Sequence, residues 1–379
     1  MRKQSKNSRF PAAAHSCAVP VTIGLCLLLG FAFLVSPAAS GAADDSPVRT
    51  QQTITDYAER KVKVPAAVKR IGCLYAFAGH VVAMLGRCPD IVAVANGLRR
   101  DVLLVKICPG ILSAVVPKAQ GAINIEELLN TRPDLLFISP ETGRNEAEMQ
   151  KLEYFKIPSL VVDYKNMQQQ QQAIALIGQA LGESGRAERY NSYYRKCIDL
   201  VAARTQKIPR DKRIKLYHCL TEATHTDAQG SISTDWLRAT GIVNVSAAQA
   251  DSAFTGKAHV GMEQIILWNP DVILANEPGT VETIMGDAQW SSVSAVKNKR
   301  VYQMPIGISR WGHPGSLETP LALLWTAKTL YPDSFPDLDI TAETRAFYKQ
   351  FFNYDLSDEL LQQMLSGRGM RRDKSKTGR

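Results

Sequence analysis

Hydrophobic and polar positions along this chain change period several times, and those changes mark its elements. The longest helical pattern lies at the middle, over 184–207, where Tyr190, Tyr194, Ile198 and Val201 recur three and four residues apart and share one face. Gly182 and Gly185 punctuate its start and Pro209 stops its end. An unbroken helix there would reach roughly 35 Å, about one domain diameter. Before it stands N-I-E-E-L-L-N-T-R-P-D-L-L-F (124–137), and after it G-M-E-Q-I-I-L-W-N-P-D-V-I-L (261–274). Both read as a helical turn, Pro-Asp, then a buried strand. Glu126 matches Glu263, Pro133 matches Pro270 and Asp134 matches Asp271, all at one offset of 137 residues. Two similar half-chains hung on one long connector account for that constancy better than chance recurrence of a common motif.

The rest of the pattern fits this plan. Residues 53–65 alternate and turn at Ala58-Glu59, which predicts a hairpin. Strands are predicted at 70–75, 91–95, 135–139 and 159–163, with helices from Gly79 and over 146–155, and a polar loop at 96–100. The second half repeats the scheme: strands at 214–220, 272–275 and 300–304, a short extended piece at 243–245, and helices from Asp235 and over 320–330, 342–352 and 357–365. The glutamine run 168–172 reads as a solvated helix surface. Strands alternating with helices predict an α/β fold of two lobes, each with a parallel-type sheet flanked by helices, and ligand groups on loops beyond the strands' carboxyl ends.

Composition refines the ends. Arg2, Lys3, Lys6 and Arg9 precede an apolar run over 19–35, small residues follow at 38–43, and the first acids are Asp44 and Asp45. This is the order of a secretory signal peptide, 1–43, directing the protein to the periplasm, with an uncleaved anchor as the alternative. The expected domains are an N-terminal lobe at 53–183, the connecting helix at 184–207, a C-terminal lobe at 208–366 and a basic disordered tail at 367–379. The formal charge of +9 belongs to the two ends, and the body between them holds 35 basic and 35 acidic residues. A neutral body gives no footing for nucleic-acid binding.

Five cysteines follow the leader: Cys73, Cys88, Cys108, Cys197 and Cys219. Cys88 and Cys108 each precede proline and bracket one short segment, so they are the candidate disulfide, worth about 3 kcal/mol on a chain-entropy view. Buried free thiols are the other reading. No C-x-x-C, G-x-S-x-G, P-loop or H-E-x-x-H occurs, so neither a catalytic constellation nor a catalytic cofactor is expected. His218, His225, His259 and His313 lie in one half and could still meet as metal ligands, which keeps a metal-binding enzyme as a second class of function. A signalling protein on the same two-lobed scaffold is a third.

The hairpin T-D-Y-A-E-R-K-V-K-V-P, the paired N-I-E and G-M-E turns, the long connector and the late segment I-S-R-W-G-H-P-G-S-L-E-T-P-L-A-L-L-W-T-A-K-T-L-Y-P (308–332) together carry a resemblance. The chain resembles the periplasmic substrate-binding proteins of iron-siderophore and cobalamin ABC transporters, whose lobes are joined by a single helix, and the likeness runs from Thr53 to Leu365. The resemblance implies a monomeric binding protein, not an enzyme. It would hold a small-molecule metal complex between its lobes and deliver it to a dimeric membrane permease. A ferric chelate is the ligand the family favours; molybdate, cobalamin or a nickel or cobalt complex stay open.

Several side chains near strand ends are ligand candidates. Arg310, Trp311 and His313 follow the last strand, and a guanidinium offers a planar fork for an oxyanion or carboxylate. Trp311 offers a flat wall, or fills core; His313 touches ligand or metal, or caps the next helix. Tyr75 ends the first predicted strand with a phenol suited to a hard cation. Arg99 and Arg100, then Arg144, follow the next two strands, and Glu277 follows the matching strand of the second half. Singly, loop arginines are usually solvated; converging, they make an anion-favouring cleft. Glu126 and Glu263 are the pair that, in the resembling family, dock on the permease.

Overall fold

Two sheets organise the residues that the computed structural model describes, 51–119, 121–247 and 257–372. The expected leader, 1–43, and the last part of the basic tail, 373–379, lie outside the described residues. The first sheet runs Ile91–Val94, Ile71–Cys73, Leu135–Ile138, Ser159–Val161, all parallel. The second runs Lys257–His259, His225–Asp227, Lys215–Cys219, Val272–Ala275, Val301–Gln303, with the short Val243–Asn244 also paired to Lys215–Cys219. Its last three strands are parallel, and the first two are joined on in antiparallel fashion. Parallel neighbours need crossover connections, which the helices supply while covering both sheet faces. Every residue of Leu135–Ile138 and of Val272–Ala275 is therefore buried.

The internal repeat has a physical basis. Asp134 Oδ2 accepts from the backbone N–H groups of Lys69 and Arg70 at 2.7 and 2.9 Å, and Asp271 Oδ2 accepts from Lys215 N at 2.9 Å. In each lobe the Pro-Asp aspartate thus pins the start of the neighbouring strand. The residues before the two prolines, Arg132 and Asn269, both adopt positive φ, 44° and 43°. Each closes its helix with a left-handed turn that aims the chain back into the sheet.

Helix Ser184–Thr205 occupies the place expected of the connector and buries Ala187, Tyr190, Asn191, Tyr194, Cys197, Val201 and Thr205. It packs along Met167–Ala180 on one side and Thr319–Leu330 on the other. Tyr190 OH donates to Leu317 O, and Tyr194 OH donates to Gln170 Oε1 at 2.9 Å. One continuous apolar core runs from the first sheet past this helix into the second lobe. Gln170 corrects the expectation for the glutamine run: it is fully buried, and its amide also donates to Ser316 O at 2.9 Å.

Three other expectations change. Residues 96–100 and 140–144 are short helices, Asn96–Arg100 and Pro140–Arg144, rather than loops, the second with proline in its first turn and Ser139 as its cap. The basic tail does not begin at 367. Met370 is fully buried, Val102 N donates to Met370 O at 3.1 Å, Arg372 N donates to Arg100 O at 2.8 Å, and Arg371 pairs with Asp101. The C-terminal segment thereby crosses back and straps onto the N-terminal lobe. Cys88 and Cys108 form a disulfide with Cα atoms 5.5 Å apart, while Cys73, Cys197 and Cys219 are buried free thiols. Burial pushes all three thiols up, Cys197 to about 12, which keeps them protonated and unreactive.

Candidate functional site

Between the lobes, side chains from opposing strand ends meet in a charged cluster. Arg310 follows the last strand of the C-terminal lobe and donates through Nη1 to the Glu277 carboxylate. Its Nη2 lies 2.8 Å from His313 Nε2. Arg100, from the N-terminal lobe, places Nη2 3.8 Å from Glu277 Oε1, so one carboxylate faces guanidinium groups of both lobes. Beside them Asp101 accepts from Arg371 Nη1 at 2.8 Å and lies 3.1 Å from His80 Nε2, and Arg100 Nε donates to Arg372 O at 3.0 Å. Asp101 and His80 are buried.

The state of Arg310 is the informative one. Burial pulls its guanidinium down to about 10, Arg371 adds to that by repulsion, and the attraction of Glu277 and Asp101 only partly offsets both. A largely desolvated cation, its side chain 13% exposed and beside the second cation Arg371, is a place where an anion is stabilised.

The loop carrying Arg310 is held from beneath. Glu318, fully buried, accepts from Ser309 N and Ser309 Oγ, both at 2.8 Å, and from Tyr348 OH. Burial pushes the Glu318 carboxyl up, and the hydrogen bonds from Tyr348 and Ser309 pull it back. Gly307 must be glycine, since a Cβ there would collide with Glu318 Oε1 and Tyr348 OH. Truncating Glu318 leaves buried donors unpaired at about 1–3 kcal/mol each. Glu318→Ala should therefore lower the unfolding free energy by about 2–5 kcal/mol in urea titrations followed by circular dichroism. A loss under about 0.5 kcal/mol would mean that water replaces the carboxylate and that the support is dispensable.

The predicted residues divide into three groups. Arg100, Glu277, Arg310 and His313 come together. Tyr75 and Arg144 lie at a neighbouring rim of the N-terminal lobe, with Asp163, Tyr164 and Glu141 around them. Burial pushes the Tyr75 phenol up, so it stays neutral. Two residues are corrected. Trp311 is fully buried and can present no face to a ligand, because the turn that begins there packs its ring into the core. Arg99 turns away from the cluster and donates to Ala114 O, bracing the chain after its own helix. His313 serves the loop as well as Arg310: its carbonyl accepts from Ser316 N at 2.8 Å.

The four histidines do not converge. His218 is buried against Asp227, with Nδ1 2.9 Å from the carboxylate, and only His225 and His259 meet. Among the described residues no group of three or more metal-ligating side chains forms. Sequence reasoning missed Asp101, His80, Arg371 and Tyr164. Tyr164 OH donates to Pro314 O at 2.8 Å, a bond from the end of one lobe's sheet to the loop of the other. Its position directly after the fourth strand was the available signal.

Known proteins share the fold. Residues 73–306 match the periplasmic binding protein family. The molybdate-binding protein MolA of Haemophilus influenzae is 26% identical over 336 residues, covering 79% of this chain and 90% of MolA. Among solved structures, molybdate-bound MolA superposes with a TM-score of 0.73 at 24% identity, covering 81% of this chain and 99% of that one. Nickel-bound CeuE of Helicobacter pylori gives 0.69 at 22%, covering 83% and 99%. Within the described residues no helix is long and apolar enough to cross a membrane. The chain belongs to the periplasmic binding protein family, the two-lobed substrate-binding proteins of ABC transporters.

Proposed function

We propose that this protein captures a small oxyanion of the molybdate class between its lobes, outside the cytoplasm, and delivers it as a monomer to a dimeric permease. The observation that carries this reading is Arg310, half-buried beside Arg371 and facing the other lobe's Arg100 across a shared glutamate. A tetrahedral oxyanion is compact enough to bridge two guanidinium groups, each donating paired N–H bonds. The likeness to MolA, whose name records molybdate binding, supports the same class.

An anionic ferric chelate is the second reading. The oxygen-bearing rim of Tyr75, Tyr164 and Asp163 favours it, because ferric iron is a hard cation that prefers oxygen donors. Titration calorimetry on untagged protein, stripped of ligand by unfolding and refolding, separates the two. Saturable one-to-one heat with molybdate and none with a ferric catecholate supports the oxyanion. The reverse pattern transfers the assignment to the chelate, and silence with both overturns an anion cleft.

A further inference from the structure

The remaining pair of histidines lies apart from the arginine cluster. His225 opens one strand of the second sheet and His259 ends the neighbouring strand, and the two are register partners across the antiparallel pair. Their Nε2 atoms are in direct contact, with ring centroids 3.4 Å apart. His225 is set in place by its surroundings. Its Nδ1 lies 2.7 Å from Thr221 Oγ1, its carbonyl accepts from Leu220 N at 2.9 Å, and its N–H donates to Glu222 O at 3.0 Å. The turn is fixed once more where Tyr217 OH donates to Ala223 O at 2.9 Å. His259 is exposed, so the pair is open to solvent.

We infer that His225 and His259 form a binding site for one divalent transition-metal ion of the nickel, copper or zinc class. When Nδ1–H of His225 donates to Thr221 Oγ1, its Nε2 carries the lone pair and points at the partner ring. An outer hydrogen bond of this kind is what orients a ligating imidazole. Two neutral rings facing through Nε2 can share at most one hydrogen bond, whereas a metal ion takes both lone pairs. Metal–nitrogen bonds of about 2.0–2.1 Å require the two nitrogens to part by only a small rotation of the exposed ring. Imidazole suits these borderline ions and not magnesium or calcium, which prefer oxygen. Among the described residues no third ligating side chain joins the pair. The site shares the carboxyl edge of the sheet with Glu277, two strands away, or roughly 10 Å by strand spacing. It depends on none of the groups assigned to the oxyanion.

The test uses untagged protein treated with chelator, dialysed, and titrated with nickel chloride, with bound metal counted by mass spectrometry. The expected result is one ion per chain, retained in millimolar magnesium and calcium. His225→Gln and His259→Gln should each weaken binding at least tenfold, and the double variant should abolish it, with circular dichroism unchanged. Molybdate titration of the same double variant should match the parent. Absence of bound nickel in the parent, or nickel retained by the double variant, overturns the site. Failure of the parent to bind molybdate overturns the oxyanion reading and leaves the nickel result standing.

Discussion

Replacing Arg310 with alanine is expected to weaken molybdate binding by about 1.5–3 kcal/mol, or roughly ten- to a hundredfold in Kd. The size follows from partial burial: a charge-assisted hydrogen bond made largely away from water is less screened than a surface one, so most of the loss should persist as ionic strength rises. Arg310→Lys distinguishes shape from charge. It keeps the cation but loses the planar fork, and should fall between the parent and the alanine variant. Glu277→Gln should move the other way. The Glu277 carboxylate now occupies the guanidinium that an anion would use, so removing its charge removes a competitor and tightens binding. Calorimetric titration of all three variants checks the set. Unchanged affinity in Arg310→Ala, or weaker binding in Glu277→Gln, would take this cluster out of the ligand site.

How far such a cluster could be read from sequence depended on whether the signal was local. The two Pro-Asp turns were legible because each aspartate acts on the strand beside it, and the same local pattern occurs twice. The long helix was legible from its periodic aromatic face, although Cys197, not Ile198, is the residue it buries between Tyr194 and Val201. Partners distant in sequence left no such trace. Gln170 is buried because Tyr194 and Ser316 satisfy its amide, yet in the chain it is one glutamine of a run. Met370 and Arg371 were hidden in a segment whose composition reads as solvated, and only the tertiary fold brings Asp101 to them. Arg99 and Arg100 illustrate the limit most sharply. Consecutive residues on a helix point about 100° apart, so one braces Ala114 and the other faces Glu277, a distinction that the bare pair of arginines does not contain.

Reversing two charges at once, Glu126→Arg with Glu263→Arg, is expected to abolish uptake while leaving the isolated protein intact. Both glutamates are exposed, and each is the second residue of its helix, Ile125–Asn130 and Met262–Trp268. The repeat thus presents equivalent carboxylates from both halves of one molecule, as a partner with two-fold symmetry would need. Beside Glu263, three and four residues on, Ile266 and Leu267 are exposed on the same helical face, an apolar neighbourhood that suits a protein contact better than bulk solvent. A local role is the competing account, in which each carboxylate only favours its helix N-terminus, at about 0.3–1 kcal/mol. The two accounts differ in what the double variant loses. Docking predicts parental molybdate affinity and an unshifted urea midpoint, with transport lost in vesicles carrying the permease. The helix-end role predicts a slightly lower midpoint with transport preserved, and that result would remove both glutamates from the permease contact.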